Sequence, residues 1–291
     1  MTGSRFVCEI DGSHSHGVFR VPGCRASLRS GAIDAGAEPV LDRVAPALLR
    51  VDACGGYAQP ALARAVPTIR DMVAETGTAT VALRDSHHFS ALWPDLEPFT
   101  DAGLVALTVV SGGPTVTVRG ASRNVFGTNP IAFGFPLAGA RPVILDLATS
   151  TMSNGDLRIA SNEGRKVPVG TSLGRDGRDT DDPAEILAHG GALPFGGHKG
   201  MALSLMVEVL ASALTGGAFS HEMDFAAHPD NQTPKTGQFL LVVDPARGGN
   251  AGFAERAAGV DRLPSDRRYR HRDAAAERGI PVTDGIRALF A

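Results

Sequence analysis

Residues 131–147, IAFGFPLAGARPVILDL, contain two short apolar runs separated by proline, glycine and alanine. Short apolar runs bounded by such turn-forming residues are typical of buried strands. Three other segments have the same character: TATVALR at 78–84, GLVALTVV at 103–110 and QFLLVVD at 238–244. We therefore predict that these segments form the sheet of the protein, with a helix over 90–102 between the strands at 78–84 and 103–110.

Helical spacing surrounds these strands. Residues 58–75 place Leu62, Val66, Ile69 and Val73 on one face, and Gly77 ends the pattern. Pro67 is expected to kink or split this helix. Residues 15–30 also have helix-compatible spacing, and Gly31 follows them. Further helices are expected at 146–160, 201–214, 274–278 and 284–290, and a polar, glycine-rich loop at 162–182.

The run 201–214 is apolar except near Glu208 and is too short to span a bilayer, so we expect a buried helix. The amino-terminal sequence lacks the apolar core of a signal peptide. Cys8, Cys24 and Cys54 are odd in number and show no Cys-x-x-Cys spacing, which indicates neither a disulfide framework nor a thiolate metal site. These features favour a soluble protein of the cytoplasm without a membrane partner.

The 291 residues are enough for one large domain or two closely packed ones. The net charge of −3 gives no basic field for nucleic acid, and no block of like charges suggests a charged tail. An anionic ligand would have to be held by a local cluster of residues.

Such a cluster is present in SHGVFR at 15–20. On a helix, His16 and Arg20 are four residues apart and lie on the same face. An imidazole exchanges protons near neutral pH, and a guanidinium binds a carboxylate through paired hydrogen bonds. The pair therefore suits a small carboxylic acid that gains a proton during reaction, although a solvated helix face has the same spacing.

Several turns are candidate ligand sites. DSHHFSALWP at 85–94 leads from a strand into a helix, where free backbone amides bind phosphate, but a simple turn with Trp93 in the core fits equally. GGHKG at 196–200 resembles a phosphate-binding turn. GTNP at 127–130 and DLATSTMSNGD at 146–156 offer hydroxyls and carboxylates, and both also have ordinary structural explanations.

Two kinds of site are disfavoured. His14, His16, His87 and His88 lack an acidic or thiolate partner at ligand spacing, so we expect no metal site. A Gly-x-Gly-x-x-Gly motif does not occur after any strand, so a bound NAD or NADP would require a fold other than the Rossmann fold.

Taken together and in this order, SHGVFR, HFSALWP, FGTNP, DLATS and LPFGGHKG resemble the malate and L-lactate dehydrogenase family, and LPSDRRYRHRDAAAERGIPV at 263–282 fits its carboxyl-terminal pattern. The resemblance implies a mixed α/β (α+β) fold that binds NAD(P) without a Rossmann fold, with a mainly antiparallel sheet and helices packed on a helical portion. It implies a helical substrate and dimer part at 1–76, joined by 215–291, and a sheet-containing NADP-binding part at 77–214, packed as one unit.

Within that family, DGSHSHGVFRVPG and HFSALWP resemble the branch that reduces the cyclic imino acids Δ1-piperideine-2-carboxylate and Δ1-pyrroline-2-carboxylate with NADPH, NADH being the other candidate cofactor. The branch implies His16 as proton donor, Ser15 and Asp156 as its orienting partners, and Arg20 and Thr128 as carboxylate ligands beside Asn154 and Gly155. The implied cofactor residues are His88, Phe89, Ser90, Ala91, Leu92, Asp146, Leu147, Ala148, His198, Lys199, Arg267 and Arg268. A homodimer is also implied.

Three features differ from the resembled pattern. The chain begins closer to Ser15, position 154 is Asn where Arg is frequent, and 170–174 lacks a tryptophan-containing turn. Two other functions therefore stand beside the reductase: a 2-hydroxy acid dehydrogenase acting on malate, lactate or ureidoglycolate-like substrates, and a non-catalytic ligand-binding homologue.

Overall fold

The computed structural model describes residues 7–88, 90–229, 231–248, 252–256, 263–280 and 287. Its main feature is a seven-stranded sheet with the spatial order β1-β2-β3-β9-β4-β5-β6. The strands are β1 (Val40–Ala45), β2 (Leu48–Asp52), β3 (Thr78–His87), β4 (Val105–Val110), β5 (Ile131–Phe135), β6 (Val143–Leu147) and β9 (Lys235–Val243), and a separate pair is formed by β7 (Ser172–Leu173) and β8 (Gly191–Ala192).

The seven-stranded sheet is mainly antiparallel. Only β2 and β3 pair in parallel, and the long helix between them in sequence supplies the crossover that a parallel pair needs. Strand β9 lies between β3 and β4 and pairs antiparallel with both. The expected mixed α/β fold with a mainly antiparallel sheet is therefore confirmed, and the topology differs from the parallel doubly wound sheet of a Rossmann fold.

The α-helices of the described residues are α1 (Val21–Arg29), α2 (Ala58–Thr76), α3 (Trp93–Thr100), α4 (Asn154–Asn162), α5 (Pro183–His189), α6 (His198–Glu208), α7 (Phe253–Arg256) and α8 (Asp266–Arg278). Residues Val209–Ala213 continue α6 as a π-helix. No helix among the described residues combines the length and the apolar character that crossing a membrane requires.

Helix α2 packs its predicted face on the sheet. Leu62, Ile69 and Val73 are buried in the main core, and Val66 packs against it. The helix ends at Gly77, whose positive φ closes the last turn as predicted. It is not split at Pro67, because burial of this face outweighs the loss of one backbone hydrogen bond.

All five predicted strands are confirmed, but β1 and β2 were missed. Strand β1 is an almost fully exposed edge, so it lacks the apolar alternation that identifies strands. Strand β2 does alternate between buried and exposed residues, but only over Leu49, Arg50 and Val51, which is too short to identify a strand from the sequence. Both lie in residues 1–76; the proposed division of the chain into two parts remains a prediction.

The expected helix over 146–160 begins only at Asn154, where the Ser153 hydroxyl accepts the amide of Asp156 and caps α4. The expected loop at 162–182 contains the short strand β7. Residues 274–278 form the end of the longer helix α8. The helix expected at 284–290 lies outside the described residues apart from residue 287.

The prediction of a buried helix at 201–214 is wrong. Ser204, Val207 and Glu208 are buried, but the other face of α6 and its continuation is exposed, with Leu205 at 53% and Leu214 at 51% accessibility. Apolar residues all around a helix leave one side to solvent when only one side meets the sheet.

Candidate active site

A cleft of about 580 Å³ lies where four segments of the chain meet. We call it the His16 cleft. It is lined by Ser13, Ser15, His16, Ser90, Ala91, Leu92, Trp93, Thr128, Pro130, Asp146, Leu147, Ala148, Ser150, Thr151, Met152, Ser153 and Asp156. The volume is within the range of small-molecule sites. Ten of the sequence-predicted site residues therefore share one cavity: Ser15, His16, Ser90, Ala91, Leu92, Thr128, Asp146, Leu147, Ala148 and Asp156.

His16 ends a single 3-10 turn, His14–His16. Its Nδ1 lies 3.1 Å from the Ser15 hydroxyl, so the serine fixes the ring through one nitrogen. The turn is held from behind by the buried Glu9, whose carboxylate contacts the His14 ring at 2.6 Å and accepts the Val18 amide at 3.0 Å. The proton-donor candidate is therefore mounted on a firmly anchored turn.

Arg20 occupies a different position from the one expected. Gly17 separates the turn of His16 from a second 3-10 turn, Val18–Arg20, because its backbone is extended, with ψ −149°. His16 and Arg20 therefore do not lie one helical turn apart on an α-helix, and that prediction is wrong. Arg20 stacks near the Phe19 ring at 5.6 Å and is not among the described residues that line the His16 cleft.

The start of α4 brings Asp156 to the cleft. The Asp156 carboxylate lies 2.7 Å from the Ser153 hydroxyl, and both residues line the cavity with His16. Gly155 packs directly on the Ser15 backbone, since a Cβ there would lie 2.6 Å from the Ser15 carbonyl oxygen. Asn154 lines a neighbouring cavity of about 400 Å³ together with Phe19.

Asp146 binds the start of α3 at the wall of the His16 cleft. Its Oδ2 accepts the backbone amides of Leu92 at 2.8 Å and Trp93 at 3.1 Å. The expectation that these amides are free for a phosphate is therefore wrong, because a carboxylate from β6 already caps this helix start. Burial raises the pKa of Asp146, whereas the two amides and the nearby Arg268 guanidinium oppose that shift.

Arg268 and His88, two other predicted cofactor residues, do not line the cleft. The Arg268 guanidinium stacks on the Trp93 ring at 4.9 Å and donates to the Ile144 carbonyl at 2.6 Å. His88 is buried and its Nε2 lies 2.9 Å from the Asp95 carboxylate. Phe89 lies outside the described residues. In the structure, Arg268 and His88 support the cleft from outside its lining.

The turn at 127–130 presents Thr128 to the cleft. The Thr128 carbonyl accepts the Thr149 amide at 2.9 Å and the Thr149 hydroxyl at 3.1 Å. Asn129, with φ +41°, donates from Nδ2 to the buried Glu208 carboxylate at 2.8 Å. The sequence marked Thr149 as part of a candidate ligand segment, whereas the supporting role of Glu208 was missed. The available signal for Glu208 was a single acidic residue inside an apolar run.

The GGHKG turn lies beside the same region. The Phe195 amide donates to the Thr149 carbonyl at 3.0 Å, and Gly200 is packed against both residues. His198 and Lys199 are exposed at the start of α6, and Arg267 is exposed on α8. These three side chains are outside the lining of the His16 cleft in the described part of the chain.

Two of the four histidines that the sequence singled out each contact a carboxylate. His14 contacts Glu9 and His88 contacts Asp95. Among the described residues there is no group of three or more histidine, cysteine, aspartate or glutamate side chains arranged to hold a metal ion.

Comparison with known proteins matches residues 6–289 to the family described as malate/L-lactate dehydrogenase. The chain is 52% identical over 281 residues to the Δ1-pyrroline-2-carboxylate/Δ1-piperideine-2-carboxylate reductase of Pseudomonas syringae pv. tomato, covering 94% of this chain and 82% of that protein. It is 49% identical to the reductase of the same name from Pseudomonas putida, covering 94% and 83%.

Among solved structures, the chain superposes on the Δ1-piperideine-2-carboxylate reductase from Pseudomonas syringae with a TM-score of 0.94 and 50% identity, covering 98% of this chain and 89% of that one. The family match spans nearly all of the sequence. The chain belongs to the malate/L-lactate dehydrogenase family of oxidoreductases.

Proposed function

We propose that this protein is an NADPH-dependent reductase of cyclic imino acids, converting Δ1-piperideine-2-carboxylate to L-pipecolate and Δ1-pyrroline-2-carboxylate to L-proline. The observation that carries the proposal is the Ser15–His16 pair in one cleft with Thr128 and Asp156. The high identity to two proteins named as reductases of these imino acids supports the same substrates.

Membership of a dehydrogenase family implies a nicotinamide cofactor. The residues present fit one: the His16 cleft is large enough for a nicotinamide and substrate together, and Ser90, Leu147 and Ala148 line it. The exposed cations Lys199 and Arg267, with His198 beside Lys199, are suited to the phosphates outside the cleft, and the charge of Lys199 and Arg267 supports NADPH over NADH. When bound, the cofactor supplies the hydride.

Reduction of the ring C=N bond requires a hydride at the carbon that bears the carboxylate and a proton at the nitrogen. His16 donates that proton to the nitrogen, and the ring C=N becomes a C–N single bond with an N–H group. Ser15 holds His16 through Nδ1 and so fixes the ring orientation. Asp156, a carboxylate lining the same cleft, stabilises the protonated imidazole.

The substrate carboxylate is held by Thr128 and Arg20 in this proposal. Thr128 lines the cleft, and its turn is anchored through Asn129 and Thr149. Arg20 ends the 3-10 turn that follows the His16 turn, and the proposal assigns its guanidinium to the substrate carboxylate. Gly155 keeps α4 close to Ser15, and Asn154 lies just beyond.

A second candidate function is a 2-hydroxy acid dehydrogenase, favoured by the family description itself. The same histidine and carboxylate ligands serve an oxo acid, whose carbonyl oxygen receives the proton in place of the ring nitrogen. The two functions differ only in the atom that His16 protonates.

The distinguishing experiment measures NADPH and NADH oxidation with both cyclic imino acids and with a panel of 2-oxo acids. We expect turnover of the imino acids with NADPH and a loss of about 100-fold or more in kcat for His16→Ala. Unchanged turnover in His16→Ala would refute the role of His16. Turnover of oxo acids alone would replace the reductase with the dehydrogenase.

We also propose a homodimer in the cytoplasm. The exposed apolar face of α6 and its continuation, formed by Met201, Leu205, Met206 and Val209, supports a second copy as the covering surface. Light scattering after size-exclusion chromatography should give twice the chain mass, and Leu205→Glu should give the monomer. A monomeric wild-type protein would contradict this proposal.

A further inference from the structure

A second cleft, of about 630 Å³, shares no lining residue with the His16 cleft. Its wall is formed by the end of β3, the beginning of β9 and the segment 216–228. We call it the His87 cleft. Its size is within the range of small-molecule sites, and the reductase chemistry proposed above makes no use of it.

His87 contributes a buried nitrogen without a partner. The side chain is 2% exposed, and among the described residues no group donates a hydrogen bond to its Nε2. The Ala32 backbone carbonyl lies near the ring and favours its protonated form, but a carbonyl oxygen only accepts and does not supply a donor. Its Nδ1 lies 3.2 Å from the Thr233 carbonyl oxygen, which only accepts, so Nδ1 carries the hydrogen. Burial lowers the pKa of His87 and keeps the ring neutral. Nε2 is therefore an acceptor that lacks a donor.

Thr236 adds a second buried group of the same kind. It is 2% exposed and lines the His87 cleft with His87, and its hydroxyl has no hydrogen-bond partner in the part of the chain that the structure describes. Buried polar atoms are almost always paired in folded proteins. Two such atoms in one cavity point to a ligand that donates hydrogen bonds.

The charge of the wall indicates the kind of donor. The charged residues of the lining are four carboxylates, Asp52, Asp85, Glu222 and Asp224, and two cations, Arg84 and Lys235. Arg84 pairs with Asp52, and Lys235 with Asp85.

Glu222 and Asp224 remain without a cation among the described residues. Their contacts are the backbone amides of Phe219 at 2.9 Å and Ala226 at 2.7 Å. The four carboxylates and two cations of the lining thus sum to a formal charge of minus two, which attracts a cation. Phe225 and Met223 also line the cleft and suit the apolar part of an organic cation.

We propose that the His87 cleft binds a small organic ammonium ion, an amine whose N–H groups donate to His87 Nε2 and the Thr236 hydroxyl. Its positive charge lies toward Glu222 and Asp224, and its carbon skeleton contacts Phe225. The site is separate from the His16 cleft, so this proposal stands whether or not the protein reduces imino acids.

Isothermal titration calorimetry of the full chain tests the proposal with 1,4-diaminobutane as the probe. Two compounds of matched length serve as controls at the same ionic strength: uncharged 1,4-butanediol and anionic succinate. We expect the diamine to bind with a Kd at or below about 1 mM and the two controls to give no binding heat. Absence of diamine binding, or equal binding of succinate, overturns the proposal.

Two variants locate the binding. Thr236→Val keeps the side-chain shape and removes a hydroxyl that has no partner, so the fold is retained. Asp224→Asn removes the charge and keeps the oxygen that accepts the Ala226 amide. Each should weaken diamine binding about tenfold, without changing NADPH oxidation.

Asp42→Asn is the matched control, because this exposed carboxylate on β1 lines neither cleft. It should bind the diamine as the wild type does. Wild-type affinity in either Thr236→Val or Asp224→Asn, or an equal loss in Asp42→Asn, would contradict the proposed site.

Discussion

The Oε1 atom of Glu208 lies 2.8 Å from Nδ2 of Asn129, although 79 positions separate the two residues in the sequence. The same carboxylate accepts the Ser220 amide at 2.9 Å and contacts the Ser220 hydroxyl. Ser220 in turn accepts the Gly127 amide at 2.9 Å. Helix α6 therefore holds both sides of the turn that carries Thr128 into the His16 cleft.

Glu208→Ala should destabilise the protein by about 3 kcal/mol, because it leaves buried donors of Asn129 and Ser220 without their acceptor. Glu208→Gln keeps one acceptor oxygen and should lose about 1 kcal/mol. Urea unfolding measures both values, and the KM for imino acid should rise more in the alanine variant. Equal stability of Glu208→Ala and the wild type would contradict the role given to this network.

Asp146→Ala should cost about 1–2 kcal/mol, as the loss of a helix N-cap does, because the Leu92 and Trp93 amides lose their acceptor. It should also raise the KM for NADPH, since these residues line the His16 cleft. Asp146→Asn retains an oxygen acceptor and should be milder on both measures.

Asp101→Ala is the control for this experiment. Asp101 is exposed at the other end of the same helix, where a negative charge opposes the helix dipole. Its removal should leave the KM for NADPH unchanged and thermal stability equal or slightly higher, because an unfavourable charge is removed. A loss of stability as large as that of Asp146→Ala would mean that general helix charge, and not the cap, explains the effect.

Gly17→Ala should disturb the turn that carries His16. An added Cβ would lie 1.9 Å from Oε2 of Glu9, and that oxygen is held by the Val18 amide. Forced overpacking of this kind typically costs about 1–3 kcal/mol. We expect a lower melting temperature together with a lower kcat.

Gly36→Ala is the matched control, because its nearest contact is at an ordinary 3.5 Å. It should fold and react as the wild type does. If Gly17→Ala retained full stability and kcat, Glu9 could not be the rigid support of the His16 turn.

The stability of the protein should fall as the pH drops below the usual histidine pKa, partly because of His87. Burial holds the pKa of His87 below its ordinary value of 6.5, so the unfolded chain binds a proton more readily than the folded one. The contribution is present above pH 6.5 and is lost as the pH falls below it.

His87→Gln removes this titration, so its free energy of unfolding should change less between pH 7 and pH 5 than that of the wild type. Urea unfolding at several pH values measures the two slopes. Identical slopes would show that His87 titrates normally in the folded protein.

Local patterns in the sequence were sufficient for much of the fold. The strands β3, β4, β5, β6 and β9 and the buried face of α2 follow from apolar periodicity, which depends only on neighbouring positions. The end of α2 at Gly77 follows from the conformational freedom of glycine. The Ser15–His16 contact is equally local, since the two residues are adjacent.

Tertiary structure decided what surrounds these elements. The placement of β9 between β3 and β4, the cap that Asp146 provides for α3, and the Glu208 network all join residues more than 50 positions apart. The extended backbone at Gly17 likewise separated His16 from Arg20, against their helical spacing. Such contacts depend on which surfaces pack together, and a periodic pattern records only that a surface is apolar.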